Sequence, residues 1–157
     1  MDNAIFLATA NKYKDTIFRV AFNYLGSAFD ADDVVQEVLL KLFTYEKAFT
    51  DDEHLKSWII RVTINVCKNM LRSPWRKNSV NLEDVPATVD LQFEDQVNLF
   101  LTIMGMKDKY RIVLYLFYYE DYSVSQIAEI LRIKESTVTT RLSRARKILK
   151  TEEFSYE

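Results

Sequence analysis

The chain has few residues that break helices and few that bind metals. Its 157 residues include two glycines, two prolines, one cysteine and one histidine. The single cysteine, Cys67, excludes an internal disulfide, and with His54 alone the chain lacks the donors of a Cys/His metal site. No apolar run approaches the ~20 residues that span a bilayer, and nothing resembles a signal peptide. We therefore expect no metal, no cofactor, no direct membrane insertion and a cytoplasmic location.

Apolar residues are plentiful, because 48% of the chain is hydrophobic and 13% is aromatic. With so little glycine and proline, this composition favours a compact all-helical protein. A chain of 157 residues has room for one ordinary domain or two small ones.

Apolar periodicity divides the chain into two helical blocks. The stretch from Pro74 to about residue 91 lacks periodicity, contains both prolines and is typical of a linker. Asp30 suits the N-cap of a second helix, with Asp32 and Asp33 in its first turn. The spacing predicts helices over about 4–25, 31–46 and 53–72, then over about 93–103, 107–119, 124–131 and 135–150. The predicted fold is all-α, with a three-helix domain (1–73), a flexible acidic linker (74–92) and a four-helix domain (93–157).

The charges are strongly segregated, although the formal net charge is only −2. Residues 54–82 hold six bases and no acid, whereas residues 83–95 hold five acids and no base. Residues 132–150 hold seven bases and one acid, Glu135. Local potential governs where a polyanion docks, so the near-zero total hides two cationic segments that could bind nucleic acid.

The last two predicted helices have the character of a helix-turn-helix. Ser123 is a plausible N-cap for the shorter one, and Val138, Leu142, Ala145 and Leu149 form an apolar stripe on the longer one. A basic amphipathic helix by itself would also suit a solvated surface. Small hydroxyls and cations on the opposite side are side chains that a major groove accepts. Helical geometry places Ser136, Thr140, Ser143, Arg144 and Lys147 on that side.

Two further surfaces stand out in the first block. Arg61, Asn65, Lys68 and Arg72 follow one another at spacings of four, three and four, as one polar ridge between apolar stripes. A solvated face fits such a ridge, but it carries no carboxylate, and a polyanion would relieve the repulsion among its cations. On the second helix, Leu40 stands among Asp33, Gln36 and Glu37, with no core to enter. That leucine is either an ordinary exposed residue or a protein-docking spot.

Taken together, these segments resemble the sigma factors of bacterial RNA polymerase. Residues 30–43, DADDVVQEVLLKLF, resemble region 2.2, and residues 58–72, WIIRVTINVCKNMLR, resemble the helix that contacts the promoter −10 element. The segments YRIVL (110–114), SQIAE (125–129) and TVTTRLSRAR (137–146) resemble region 4. A short linker replaces the helical domain that primary sigma factors carry there. This arrangement is similar to the extracytoplasmic-function (ECF) subgroup.

The resemblance implies a role for each surface and no enzymatic activity. Trp58, Arg61, Asn65, Lys68 and Arg72 would face the −10 DNA, and the loop 49–54 would hold a flipped-out −10 base. Asp33, Gln36, Glu37 and Leu40 would meet the clamp of the largest subunit of core RNA polymerase. The second domain would bind the flap of the second-largest subunit and read the −35 element. The residues that would face this DNA are Ser136, Thr137, Thr139, Thr140, Arg141, Ser143, Arg144 and Lys147. The linker, with its acidic run over residues 83–95, would thread through the polymerase toward the active-site cleft of that enzyme. The alternative is that the run is only a solvated tether. The resemblance also implies an anti-sigma factor as a partner, because members of this family are commonly held inactive by one.

Four positions depart from the family pattern. Lys107 stands where the family usually has proline, and Arg132 and Ser136 stand where it often has glycine. Thr139 replaces a common lysine or arginine. Loss of that cation would remove ~1–3 kcal/mol of discrimination at one base pair, so the usual −35 base preference of the family is not assumed for this chain. The main alternative function is a stand-alone helix-turn-helix regulator that binds an operator without polymerase. A helical protein-binding adaptor is the second.

Overall fold

The computed structural model describes residues 1–72 and 101–155, with side chains as far as Thr151. Every regular element in these residues is helical. The chain divides into two compact units, Met1–Asp84 and Val85–Glu157. The prediction of an all-α fold with two small domains is therefore confirmed. The predicted linker, its acidic run and the start of the helix predicted near residue 93 lie outside the described residues.

The first unit contains three helices, α1 (Asn3–Leu25), α2 (Ala28–Thr44) and α3 (Asp52–Leu71). Helix α1 packs against both others, and α2 packs against α3. Both apolar stripes predicted on α3 contribute buried side chains, so that helix is covered on two sides. The core consists mainly of Ile17, Val20, Ala21, Val34, Val38, Leu42, Ile59, Ile60, Ile64 and Cys67.

Short polar side chains fix where these helices begin. Asp51 caps α3, because its Oδ1 accepts the backbone N–H of His54 at 2.7 Å. The N-cap predicted for α2 was wrong: Ser27 caps it, and its Oγ accepts the N–H of Asp30 at 3.2 Å. Gly26 ends α1 with φ 70°, so the chain reverses within two residues and α2 starts earlier than the apolar periodicity indicated. Asp30 is then the first-turn acid, a place predicted for Asp32 and Asp33.

The second unit contains a helical stretch over residues 101–105 (α4), followed by α5 (Asp108–Leu114), α6 (Val124–Leu131) and α7 (Glu135–Ser155). Helices α5 and α6 both pack against α7. The apolar stripe predicted on α7 is buried at Val138, Leu142 and Ala145. The same core includes Met104, Met106, Ile112, Val113, Leu116, Ile127 and Ile130.

A five-residue π-helical turn, Tyr115–Tyr119, follows directly on α5. The N–H of Glu120 bonds to the carbonyl of Tyr115 at 3.2 Å, five residues back, so the turn holds one residue more than an α-turn. The prediction of one regular helix over about 107–119 missed this change, since apolar spacing does not report the hydrogen-bond register. Tyr118 and Tyr119, at the end of this turn, are exposed.

The connection between α6 and α7 has a tightly defined geometry. Ser123 caps α6 as predicted, in a reciprocal pair: its Oγ accepts from Gln126 N at 3.1 Å, and its N–H donates to Gln126 Oε1 at 2.9 Å. Helix α6 ends at Arg132, which is left-handed at φ 57° and ψ 47°. The N–H of Ile133 then bonds to the carbonyl of Ala128 at 3.0 Å, as in a Schellman motif. This backbone explains why glycine suits position 132.

The departure at Lys107 has a milder backbone setting. Lys107 precedes α5 with φ −62° and ψ 147°. A proline ring would fix φ close to that value, so the backbone of this residue already has the φ that proline favours. The lysine therefore keeps the geometry without the ring that would impose it.

Candidate functional site

Helix α7 carries most of its predicted DNA-facing side chains on its exposed side. Ser136, Thr139, Thr140, Ser143, Arg144 and Lys147 are exposed, opposite the buried stripe. Thr137 and Arg141 are only partly exposed, because they lie nearer the edges of that stripe. The hydroxyl of Thr140 donates to the carbonyl of Ser136 at 2.9 Å, and this bond orients a polar side chain on the exposed face. The helix thus presents hydroxyls and cations together.

The cations of α7 are uncompensated within the part of the chain that the structure describes. None of Arg141, Arg144, Arg146 and Lys147 forms an ion pair with a described residue. The acid of its first turn, Glu135, lies six residues before Arg141, the first of these arginines. A run of unpaired cations beside small hydroxyls can bind phosphates and base edges at once.

Helix α3 presents the predicted polar ridge only in part. Asn65, Lys68 and Arg72 are exposed, and none forms an ion pair with a residue in the described ranges. Arg61 is half-buried, and its Nε is buried without a hydrogen-bond partner among the described residues. A buried N–H that lacks an acceptor costs ~1–3 kcal/mol, so an added acceptor near Arg61 would stabilise the unit. The ridge therefore consists of three exposed side chains and one half-buried arginine.

Trp58 does not stand free beside that ridge, because it packs into an aromatic cluster with the loop before α3. The indole lies 4.7 Å from the ring of Tyr45 and 5.5 Å from that of Phe49, between centroids. Tyr45 and Phe49 are themselves stacked at 5.1 Å. This contact gives Trp58 a structural role in holding residues 45–51. The resemblance to the −10 helix of sigma factors had placed it with the DNA-facing residues.

The same loop borders an open cleft of about 460 Å³. His54 contacts the loop in two ways. Its Nδ1 accepts the N–H of Thr50 at 3.1 Å, and its ring meets the ring of Phe49 edge-on, with 5.3 Å between centroids. Lys12 lies near the mouth, 3.6 Å from a carboxylate oxygen of Asp52. Tyr13 and then Asp52 raise the pKa of Lys12 above its usual value. The cleft is lined by Met1, Asp2, Ile5, Thr9, Leu55 and residues of the segment 45–52.

Helix α2 exposes the predicted polar and apolar set together with two phenylalanines that the sequence analysis missed. Asp33, Gln36, Glu37 and Leu40 are all exposed, and Leu40 is 63% exposed. Phe29 is 76% exposed and Phe43 is 41% exposed. Phe29, Asp33, Gln36, Leu40 and Phe43 follow at spacings of four, three, four and three, so they form one row. Extending that row from Leu40 would have identified both phenylalanines.

Two other features are absent from the part of the chain that the structure describes. In residues 1–72 and 101–155, no group of three or more histidine, cysteine or acidic side chains is arranged to hold a metal ion. Across the same residues, no helix combines the length and the apolar content that crossing a membrane requires.

Two family descriptions match the chain in sequence order. Sigma-70 region 2 matches residues 9–77, which include α2 and α3. Sigma-70 region 4 matches residues 97–149, which include the helix-turn-helix. Both matches place the exposed α2, α3 and α7 surfaces inside the two regions that the motifs had indicated.

Curated relatives match over almost the whole chain. The ECF RNA polymerase sigma factor SigL of Mycobacterium tuberculosis is 30% identical, covering 94% of this chain and 88% of that protein. SigW of Bacillus subtilis, also an ECF RNA polymerase sigma factor, is 28% identical, covering 95% of this chain and 89% of that protein. The fold resembles that of the sigma factor RpoE, solved with the anti-sigma factor NepR from Bartonella quintana, at 18% identity, a TM-score of 0.67 and coverage of 94% and 95%. The chain therefore belongs to the sigma-70 family, in its ECF subgroup.

Proposed function

We propose that this ECF sigma factor binds core RNA polymerase, recognises promoter −35 and −10 elements and assists promoter melting. The observation that carries the proposal is the pairing of two separate cationic surfaces, on α3 and on α7, within the two sigma regions. Sigma factors are transcription initiation factors and not enzymes. The chain would therefore contribute binding energy and position, while the polymerase contributes the chemistry.

The second unit would grip the −35 duplex with α7. Its exposed hydroxyls and arginines suit base edges and phosphates in the major groove. The left-handed turn at Arg132 sets the angle between α6 and α7, so it would determine how α7 enters the groove. The residues assigned to this contact are Ser136, Thr137, Thr139, Thr140, Arg141, Ser143, Arg144 and Lys147.

The first unit would act where the DNA opens. Asn65, Lys68 and Arg72 would contact the −10 strand, with Arg61 at their edge. Trp58 would act indirectly, because it packs against the loop that borders the cleft. Capture of a −10 base outside the stack would offset an unstacking cost of a few kcal/mol. A loop that is already ordered loses less conformational entropy when a base binds.

The exposed row on α2 would dock on the clamp of the largest polymerase subunit. Asp33, Gln36, Glu37 and Leu40 were assigned to this contact, and Phe29 and Phe43 extend its apolar area. The second unit would bind the flap of the second-largest subunit. An apolar anchor within a polar rim is the arrangement in which a few residues supply most of the binding energy.

The remaining assignments follow from membership of the family. Residues 1–73 would form the region 2 domain, 74–92 the linker and 93–157 the region 4 domain. An anti-sigma factor is the expected inhibitor, and the fold of RpoE was solved with one. Because polymerase and promoter DNA are its proposed partners, the protein would work in the cytoplasm.

The division of labour can be tested by substituting Arg144. Arg144→Ala should lower run-off transcription from promoters of this protein about tenfold or more, since a lost charge-assisted contact is worth ~1.5–3 kcal/mol. Binding to core polymerase, measured by fluorescence anisotropy of labelled protein, should stay unchanged. An equal loss of core binding would show that α7 does not work separately from the polymerase contact.

A gel-shift assay separates this function from a stand-alone regulator. A regulator with the same helix-turn-helix would shift duplex promoter DNA without polymerase. The sigma factor should give a promoter-specific shift only together with core enzyme. Strong specific binding by the purified chain would favour the regulator.

A further inference from the structure

Arg146 is an exposed cation of α7 held in place by two aromatic residues of the π-helical turn. Its Nε donates to the hydroxyl of Tyr118 at 2.7 Å. Its guanidinium carbon lies 5.6 Å from the ring centroid of Tyr118 and 5.5 Å from that of Phe117. The two rings meet nearly at right angles, at 79° and 5.0 Å. They therefore present two surfaces to one guanidinium.

Most N–H donors of Arg146 form no hydrogen bond with the described residues. A guanidinium carries five N–H donors, and the Tyr118 hydroxyl takes only the one on Nε. The four donors on the terminal nitrogens form no hydrogen bond or ion pair with the described residues. An arginine that is anchored at Nε loses less rotamer entropy when its terminal nitrogens bind a ligand.

The position of Arg146 on α7 indicates what that ligand is. Thr139, Ser143 and Arg146 follow at spacings of four and three, so Arg146 continues one row of the proposed DNA-facing surface. It lies seven residues beyond Thr139, which is ~10 Å along the helix axis, or about three base-pair steps. At that distance it would reach the edge of the groove, where the backbone phosphates lie, and not the base pair near Thr139.

We infer that Arg146 is a further phosphate-contacting residue of the −35 interface, and that Tyr118 and Phe117 are positioning residues that hold its guanidinium for that contact. The inference rests on the proposed function, since it requires α7 to bind the −35 duplex. It also gives the π-helical turn a role, because this turn carries both Phe117 and Tyr118. Thr139 lacks a cation, and Arg146 supplies charge on the same row.

The test compares reconstituted holoenzymes on one promoter fragment, across a range of salt concentrations. Arg146→Ala should weaken promoter affinity about tenfold. It should also reduce the salt slope, which is the slope of log affinity against log salt concentration, by about one, because one phosphate contact is lost. Tyr118→Phe keeps the ring and removes the acceptor, so it should weaken affinity about threefold with an unchanged salt slope. Arg146→Lys keeps the charge without the planar fork, and it should keep the slope while losing part of the affinity.

Tyr119→Phe is the matched control for the positioning role. Tyr119 is 57% exposed, against 58% for Tyr118, but its ring stacks on Tyr115 and not on Arg146. This variant should leave promoter affinity unchanged. Thermal melting of each full-length variant excludes unfolding as the cause of any loss.

Three outcomes decide between the inference and the proposed function. Loss with Arg146→Ala and Tyr118→Phe, but not with Tyr119→Phe, supports the inference. If Arg144→Ala weakens promoter binding while Arg146→Ala changes neither affinity nor slope, the inference is overturned and the proposed function stands. If neither arginine affects promoter binding, both the inference and the α7 assignment are overturned.

Discussion

Trp58 meets Phe49 edge-on, with 5.5 Å between ring centroids and 66° between ring planes. Through this contact the first turns of α3 hold the loop that follows α2. His54 adds a second connection, because its Nδ1 accepts the N–H of Thr50. A residue placed by motif among the DNA-facing side chains therefore packs against a loop. The consequence for function is that substitution of Trp58 should affect melting through the loop.

Trp58→Ala should remove the indole that packs on Tyr45 and Phe49, and so loosen residues 45–51. For a half-buried tryptophan we expect a loss of ~2–3 kcal/mol in the free energy of unfolding, below the range for a fully buried one. Open-complex formation, measured by permanganate reactivity of −10 thymines, should fall more than closed-complex binding. Trp58→Phe should retain most of both. Equal loss of closed and open complexes would contradict the role in the loop.

Arg132→Gly should stabilise the second unit. A non-glycine residue in the left-handed region costs ~1–2 kcal/mol. Glycine removes this cost, but it loses ~0.5–1 kcal/mol more in backbone entropy on folding, which offsets part of the gain. The expected gain in the free energy of unfolding is about 0.5–1 kcal/mol, measured by urea denaturation. Arg132→Asn, which tolerates the same φ, should lie between the two. A destabilised glycine variant would show that the arginine side chain contributes more than its backbone costs.

Leu40→Asp should abolish most binding to core polymerase without destabilising the protein. Leu40 is 63% exposed, so its replacement removes little buried area. A central apolar anchor contributes ~2 kcal/mol or more to an interface, which is a loss of about thirtyfold in affinity. Leu7 on α1 is 61% exposed, and Leu7→Asp is the matched control. Similar loss in both variants would indicate that the α2 row is not the docking surface.

The sequence predicted the helices well where the apolar spacing was regular. The limits of α6 and its N-cap at Ser123 followed from short-range rules. The start of α2 did not, since Ser27 and Asp30 are both good caps and the choice depends on how Gly26 ends α1. The π-helical turn was also missed, because it is a change in hydrogen-bond register within an apolar run.

The surfaces were predictable in a similar, partial way. Helical spacing identified the exposed hydroxyls and cations of α7, because their exposure follows from the buried stripe on the opposite side. Spacing could not show that Trp58 packs against Tyr45, since that contact depends on the path of a loop. Nor could it show that Tyr118 meets Arg146, because 28 residues separate them along the chain. Such long-range contacts become visible only with the fold.

The most direct measurement is transcription in vitro from a promoter library randomised at the −35 and −10 positions, with core polymerase and the purified chain. Sequencing of the transcribed templates should show enriched bases in both windows, and no enrichment without the chain. Arg144→Ala should relax the −35 window alone, and Asn65→Ala the −10 window alone. Absence of enrichment in both windows, with core binding intact, would contradict the account.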